Sequence, residues 1–288
     1  MADTSFHILV AEHAGVCYGV ERALNKAYEA AGQATAPVNT LGPLIHNPRV
    51  VRELEDAGVG LAESLSDCKG GTVVVRAHGV VPQTIEDARD RGLEVVDATC
   101  PYVKKVHHAA SRLSAEGYQV LVVGESGHPE VEGIMGHAGH GARVVSDVED
   151  IAGIELGDRV GVVVQTTQTD ERLAQVTAAL VARCREVRVV NTICKATHER
   201  QQSAAALACS VDAMIVIGGK NSGNTRRLYQ ICAESCARTY HIESSDELDP
   251  AWFDACSRVG VTAGASTPAA HINQVIEFLR EFGGTCDE

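Results

Sequence analysis

Three cysteines share one setting. Cys17 follows the apolar run Ile8-Leu9-Val10 and stands before Tyr18-Gly19-Val20-Glu21-Arg22. Cys100 follows Val95-Val96-Asp97-Ala98-Thr99 and precedes Pro101, and Cys194 follows Val189-Val190-Asn191-Thr192-Ile193 and precedes Lys195. In each case a β-branched run gives way to a helical pattern. The N–H groups and the positive dipole end of a helix start favour a thiolate, and thiolates bind soft metals and iron–sulfur groups. The cysteines lie 83 and 94 residues apart, with 94 residues after the last. That spacing fits neither the short pairs of a zinc ribbon nor a ferredoxin run, and on spacing alone buried structural thiols are the alternative. If the strand ends point inward, three thiolates would leave one iron of a cubane open as a Lewis acid. Cys68, Cys184, Cys209, Cys232, Cys236, Cys256 and Cys286 lack this placement. Cys232 and Cys236, one helical turn apart, read as packing.

Polar residues gather at other strand ends. Gly218-Gly219-Lys220-Asn221-Ser222-Gly223-Asn224-Thr225 has the outline of a P-loop with Asn224 in place of its lysine. Nucleotide hydrolysis is unsupported without that lysine, yet donors at a helix start suit phosphate. An ordinary strand–helix turn is the alternative. His46 and His78, each alone a loop-fixing histidine, form with Ser222, Asn224 and Ser266 a candidate diphosphate cradle, and Lys220 is the only cation near it. His128-Pro129-Glu130 sets two titratable groups at i and i+2. In an extended loop these face the same side and could relay protons; a capping glutamate is the alternative. Gly136-His137-Ala138-Gly139-His140 reads as a surface turn, and His107 and His108 as solvated mid-helix residues.

The elements that must position these residues follow one plan. Short apolar runs, such as Thr72–Val75, Val120–Val123, Val160–Val164, Met214–Ile217 and Val259–Val261, each end in a polar loop and lead into a helical pattern. Continuous apolar runs suit strands buried on both faces, and their alternation with helices predicts parallel βα units. Ligands bind beyond the carboxyl ends of such strands. The cysteine repeat divides the chain into three similar α/β units with mostly parallel sheets: residues 17–99, 100–193, and 194–288 together with 1–16. Residues 6–12 then supply the last strand of the third unit, and a pseudo-threefold trefoil would surround the cysteines.

Composition narrows the function. The 288 residues carry 25 Lys+Arg against 38 Asp+Glu, a formal charge of −13, which argues against a sequence-independent nucleic-acid or anionic-membrane binder. With 45% apolar residues the chain is a folded globular one. No apolar run reaches the roughly 18 residues of a membrane span, and the polar N-terminus lacks a signal-peptide pattern, so a cytoplasmic protein with no membrane partner is expected. No strand-linked G-x-G-x-x-G supports a dinucleotide site.

Taken in order, Gly15-Val16-Cys17-Tyr18-Gly19-Val20, Ile45-His46-Asn47, Ala77-His78-Gly79-Val80, Asp97-Ala98-Thr99-Cys100-Pro101, Gly127-His128-Pro129-Glu130-Val131-Glu132-Gly133, Gln165-Thr166-Thr167, Ile193-Cys194-Lys195-Ala196-Thr197, Asn221-Ser222-Gly223-Asn224-Thr225 and Ala263-Gly264-Ala265-Ser266 resemble one family. It is the LytB family of 4-hydroxy-3-methylbut-2-enyl diphosphate reductases, and the resemblance runs from about residue 8 to 280. It implies a three-lobed α/β trefoil around an oxygen-sensitive [4Fe–4S] cluster with three cysteine ligands, Cys17, Cys100 and Cys194, and one open iron. It implies reductive removal of an allylic hydroxyl to give isopentenyl and dimethylallyl diphosphates, the last step of the methylerythritol phosphate route. By position, His46, His78, Ser222, Gly223, Asn224 and Ser266 face the diphosphate and His128 lies near the ligand. Glu130 delivers protons, and Thr166 orients the hydroxyl. An external one-electron donor of ferredoxin or flavodoxin type is implied. Three departures stand out: Gly223 where many members have serine, Val16 for a common phenylalanine, and Ala269 where an acidic residue often stands. A non-catalytic iron–sulfur sensor or electron carrier is the rival reading; it needs no diphosphate cradle and no buried acid. A zinc-dependent hydrolase would act without a reductant.

Overall fold

The structure is a computed structural model that describes residues 5–286. In chain order, β1 (Phe6–Val10) leads to α1 (Tyr18–Gln33), β2 (Val38–Leu41), α2 (Pro48–Asp56), β3 (Val59–Ala62), β4 (Thr72–Val75), α3 (Pro82–Asp90) and β5 (Glu94–Asp97). Then come α4 (Pro101–Ala115), β6 (Gln119–Val123), α5 (Pro129–Ala138), β7 (Arg143–Val145), β8 (Arg159–Val164), α6 (Asp170–Val181) and β9 (Glu186–Val190). The remainder is α7 (Lys195–Ala208), β10 (Ala213–Ile217), α8 (Gly223–Ser235), β11 (Thr239–Ile242), β12 (Arg258–Ala263), α9 (Ala269–Glu281) and β13 (Gly284–Thr285).

Three sheets result, ordered β3-β2-β4-β5, β7-β6-β8-β9 and β11-β10-β12-β1-β13. Their strand pairs run parallel. The order within each sheet is the same: second strand, first, third, fourth. In the last sheet β1 takes the fourth place, as the sequence repeat requires of residues 6–12, and β13 adds an edge. The expected three α/β units with parallel sheets are thus present.

Two compact units hold these sheets. One comprises Met1–Tyr18, His46–Pro48 and Lys195–Glu288; the other comprises Gly19–Ile45 and Arg49–Cys194 and contains two sheets. Alternate residues of β6 explain why a continuous apolar run is needed. Val120 and Val122 join the core formed with Val106, Leu113 and Ile134, while Leu121 and Val123 join that of Ile151, Val176 and Leu180. With period 2 each strand feeds a core on both faces. The run Met214–Ile217 does the same in the other unit, all four residues being 0% exposed. No helix among the described residues is long and apolar enough to cross a membrane.

Helix starts carry the functional loops. Pro82, Pro101 and Pro129 open α3, α4 and α5 at positions where a missing N–H costs nothing. The start of α5 at Pro129 corrects the expectation of an extended loop over His128–Glu130. His128 is the cap, its Nδ1 accepting the Glu130 N–H at 3.1 Å, and Glu130 lies inside the first turn. His107 is also corrected: it is 7% exposed rather than solvated. Its ring stacks on that of His137, with centroids 3.9 Å apart. His137 belongs to the last turn of α5 and not to a surface turn, whereas His108 and His140 are exposed. Burial, and after it the neighbouring His137, holds the His107 imidazole down at about 3.

Candidate active site

The candidate residues sit at the carboxyl ends of the strands, in two sets, one per compact unit. A common backbone device positions the cysteines. The Cys100 N–H donates to the Ala77 carbonyl at 2.9 Å, that of Cys194 to Thr166 at 3.1 Å, and that of Cys17 to Ala265 at 3.2 Å. In each sheet the peptide of the cysteine after the fourth strand is therefore bonded to the loop after the third. Those loops bear His78, Thr166 and Ser266, so each cysteine is tied to a polar candidate beside it in the fold.

In the larger unit the centre is Glu130, 2% exposed. Its Oε1 accepts the Thr166 backbone N–H at 2.6 Å, and its Oε2 accepts the Thr166 hydroxyl at 2.9 Å. Among the described residues it makes no ion pair with a cation. Burial pushes its carboxyl up to about 7, against the opposing pull of the two bonds from Thr166. The group is thus a protonated acid over a useful part of the neutral range. A proton on Oε2 reverses the second bond: the acid donates to Thr166 Oγ1, whose own hydrogen is released to point onward. Since His128 Nδ1 accepts the Glu130 N–H, its ring carries a neutral-state proton on Nε2. The His78 and His128 rings meet edge to face at 5.5 Å. Gln165 steadies this end of the sheet, accepting the Glu125 N–H at 2.9 Å and donating to Thr167 at 3.0 Å.

In the smaller unit the features are those of an anion cradle. Ser222 caps α8, accepting the Thr225 N–H at 3.3 Å, and keeps its hydroxyl hydrogen. Gly223 and Asn224 open the helix, so their N–H groups have no intrahelical acceptor. Asn224 is 5% exposed, and neither Nδ2 nor Oδ1 has a hydrogen-bond partner. A buried amide left with both ends unmet is costly and marks a place where a polar ligand belongs. Ser266 Oγ donates to the His46 carbonyl at 3.4 Å, and Asn47 Nδ2 donates to the Ser266 carbonyl at 2.8 Å, which joins these two loops. Gly219 lies under them; a Cβ there would stand 2.4 Å from the His46 carbonyl oxygen, so only glycine fits. Lys220 is not available as a phosphate cation, because its Nζ is paired with Glu247 at 2.5 Å. What remains in this unit are the hydroxyl, amide and backbone N–H donors of Ser222, Gly223, Asn224 and Ser266.

Donor chemistry tests whether an iron–sulfur group fits. Cys17, Cys100 and Cys194 are half-buried and none is in a disulfide. Each lies at a helix start, beside backbone N–H groups that lack an intrahelical acceptor and can bond a sulfur ligand. They fit. Cys232 is the contrast: it is 0% exposed, bonded to the Ala204 carbonyl, and burial, then Cys236, pushes its thiol up to about 12. That is an inert packing residue.

Strand order and loop placement put the chain among parallel α/β proteins whose functional loops line the strand ends. Its family follows from comparison. A model described as LytB protein matches residues 8–280, and the chain belongs to that family. A 4-hydroxy-3-methylbut-2-enyl diphosphate reductase of Geobacter sulfurreducens is 51% identical over 275 residues, 96% of this chain and 97% of that one. That of Aquifex aeolicus is 49% identical over 278 residues, 95% and 96% of the two chains. A solved structure of (E)-4-hydroxy-3-methyl-but-2-enyl diphosphate reductase, the terminal enzyme of the non-mevalonate pathway, is 48% identical with a TM-score of 0.72 over 96% of this chain and 99% of that one. The E-1-hydroxy-2-methyl-but-2-enyl-4-diphosphate reductase of Plasmodium falciparum, 26% identical, superposes with a TM-score of 0.93 over 98% and 91%. Membership of the family implies an iron–sulfur group.

Proposed function

We propose that this protein is an iron–sulfur oxidoreductase that reductively dehydroxylates 4-hydroxy-3-methylbut-2-enyl diphosphate to isopentenyl and dimethylallyl diphosphates, the last step of the non-mevalonate route. The observation that carries the reading is the buried Glu130–Thr166 pair, an acid held near neutrality with a hydroxyl to pass its proton on. Cys17, Cys100 and Cys194, one from each of the units 17–99, 100–193 and 194–288 plus 1–16, hold a [4Fe–4S] cluster with one open iron. When bound, that group supplies electrons and a Lewis acid for the leaving hydroxyl.

The chain's own residues do the rest. Ser222, Asn224, Ser266, His46 and His78, with the first N–H groups of α8 at Gly223 and Asn224, bind the diphosphate as a remote handle that positions the allylic carbon. Replacing the C–O bond by a C–H bond consumes two electrons and two protons: one proton leaves with the oxygen as water and the other is added to a carbon of the allylic group. Glu130 gives a proton through Thr166 Oγ1 to the departing oxygen, and His128 steadies the loop and the ligand. The electrons come from an external one-electron carrier of ferredoxin or flavodoxin type, and the setting is cytoplasmic. A sensor or electron carrier has no use for a buried acid or for the unmet amide of Asn224.

Anaerobic purification with iron and sulfide analysis, then assay with the allylic alcohol diphosphate and a strong one-electron reductant, tests this reading. Both isoprenoid diphosphates should form, only in the presence of reductant. A fully loaded protein that leaves the substrate unchanged would refute it.

A further inference from the structure

Arg200 lies in α7, the helix that begins directly after Cys194, and is 6% exposed. Its Nε and Nη2 both donate to the Gly15 carbonyl, at 3.0 and 2.6 Å, and its Nη1 donates to the Ala196 carbonyl at 2.8 Å. Among the described residues no carboxylate forms an ion pair with it: the adjacent Glu199 is paired with Lys195 at 3.1 Å and feels Arg200 only as a more distant charge. A guanidinium stays charged in a protein, and burying it against carbonyl oxygens alone is costly. Gly15 stands two residues before Cys17 and adopts a φ of +87°, and its N–H donates to the Ala263 carbonyl at 3.1 Å. The turn Gly15-Val16-Cys17 is thus fixed by two backbone bonds and one buried cation.

The larger unit repeats the device. Arg22 lies in α1, the helix that begins directly after Cys17, and is half-buried. Its Nη1 donates at 3.2 Å to the carbonyl of Thr99, the residue before Cys100. It too makes no ion pair among the described residues. The arginines fall five residues after Cys17 and six after Cys194. Each compact unit therefore commits one unpaired guanidinium to the carbonyl just ahead of a candidate ligand cysteine. Packing alone would be met by an apolar side chain at lower cost.

We propose that Arg200, and with a weaker hold Arg22, are positioning residues for the iron–sulfur group at Cys17 and Cys100, and that their positive charge, buried at Arg200 and half-buried at Arg22, makes that group easier to reduce. The inference rests on the reading of the cysteines as ligands. Reduction adds negative charge, and a fixed cation in a low-dielectric surrounding stabilises the reduced state. Net charge and hydrogen bonding around a cluster are among the determinants of its potential.

The test compares wild type, Arg200→Gln, Arg200→Lys and Arg22→Gln, prepared anaerobically. Iron and sulfide per chain are measured first, then the midpoint potential by a mediated titration followed by EPR. Arg200→Gln should retain the cluster but show a one-electron reduction equilibrium at least tenfold less favourable, a midpoint lower by at least about 59 mV. Arg200→Lys, which keeps the charge, should recover more than half of that shift, and Arg22→Gln should move the same way by less. If Arg200→Gln does not load, Arg22→Gln is judged by the same criterion of direction. Loaded glutamine variants with the wild-type midpoint would overturn the inference while leaving the cysteine reading intact. A wild-type chain that holds no iron and sulfide would overturn both.

Discussion

Glu130 is gripped through both carboxyl oxygens by one residue, Thr166, whose backbone N–H and hydroxyl lie 2.6 and 2.9 Å away. The same Thr166 accepts the Cys194 N–H on its carbonyl. One residue thus links the acid to the peptide of a candidate ligand cysteine, and the relation depends on a parallel sheet whose third and fourth strands end side by side.

The cysteines separate into two kinds by placement. Cys17→Ser, Cys100→Ser and Cys194→Ser should each lose most of the bound iron and the visible absorption of the cluster. Cys232→Ser and Cys236→Ser should keep both, since their sulfurs face the Ala204 and Val211 carbonyls inside a core. Iron analysis and absorbance decide, and full occupancy with normal activity in any of the first three would remove that cysteine from the ligand set.

Asn224 offers an opposite pair of effects. Each hydrogen bond to a charged group contributes about 1.5–3 kcal/mol, so Asn224→Ala should weaken diphosphate binding by about 10- to 100-fold. The same change removes two unmet buried polar atoms, so the ligand-free variant should melt at or above the wild-type temperature. Calorimetric titration and thermal unfolding read the two. An unchanged dissociation constant would take Asn224 out of the cradle.

Much of this was legible in the sequence because a parallel βα repeat fixes where its loops fall. The apolar runs located the strands, and the ends of those strands located Cys17, Cys100, Cys194, His78, Glu130 and Ser266. The start of α5 was not legible, since His-Pro-Glu reads equally as a turn or as a capped helix with proline at its first position. The burial of His107 was hidden for another reason. It depends on Gly79 and Gly133, distant in sequence, where an added Cβ would stand 2.7 Å from its Cε1 and 3.2 Å from its Nε2. Arg22 and Arg200 gave a faint signal, a recurrence after two cysteines, which gains meaning only when their carbonyl acceptors are known.

His107 predicts a pH dependence of stability. Its folded value of about 3 lies below the ordinary 6.5, so between those limits the unfolded chain binds the extra proton. Its contribution is complete above pH 6.5 and is lost as pH falls, by up to ~1.4 kcal/mol per unit. Glu130, raised from 4.5 to about 7, acts with the opposite sign, binding its proton in the folded state over that interval. Comparing wild type with His107→Leu cancels the Glu130 effect. Urea unfolding at pH 7, 6 and 5 should show the wild type losing more stability than the variant at each step. Parallel losses would contradict a neutral, buried His107.

The central claim is that Glu130 is the proton donor, and Glu130→Gln tests it most directly. The amide can accept the Thr166 N–H through Oε1 and donate through Nε2 to the Thr166 hydroxyl, so the local structure has no reason to change. What is lost is the transferable proton, and loss of a general acid costs about 10²–10⁴-fold in rate. Turnover with excess reductant should be measured across pH 5.5–8.5, beside iron content and substrate affinity. The wild type should slow as pH rises through about 7, where Glu130 gives up its proton. Glu130→Gln should keep its iron and bind the diphosphate normally, yet turn over at least about 100-fold more slowly with no inflection near pH 7. A loaded Glu130→Gln enzyme with near-wild-type turnover and the wild-type pH profile would contradict the account.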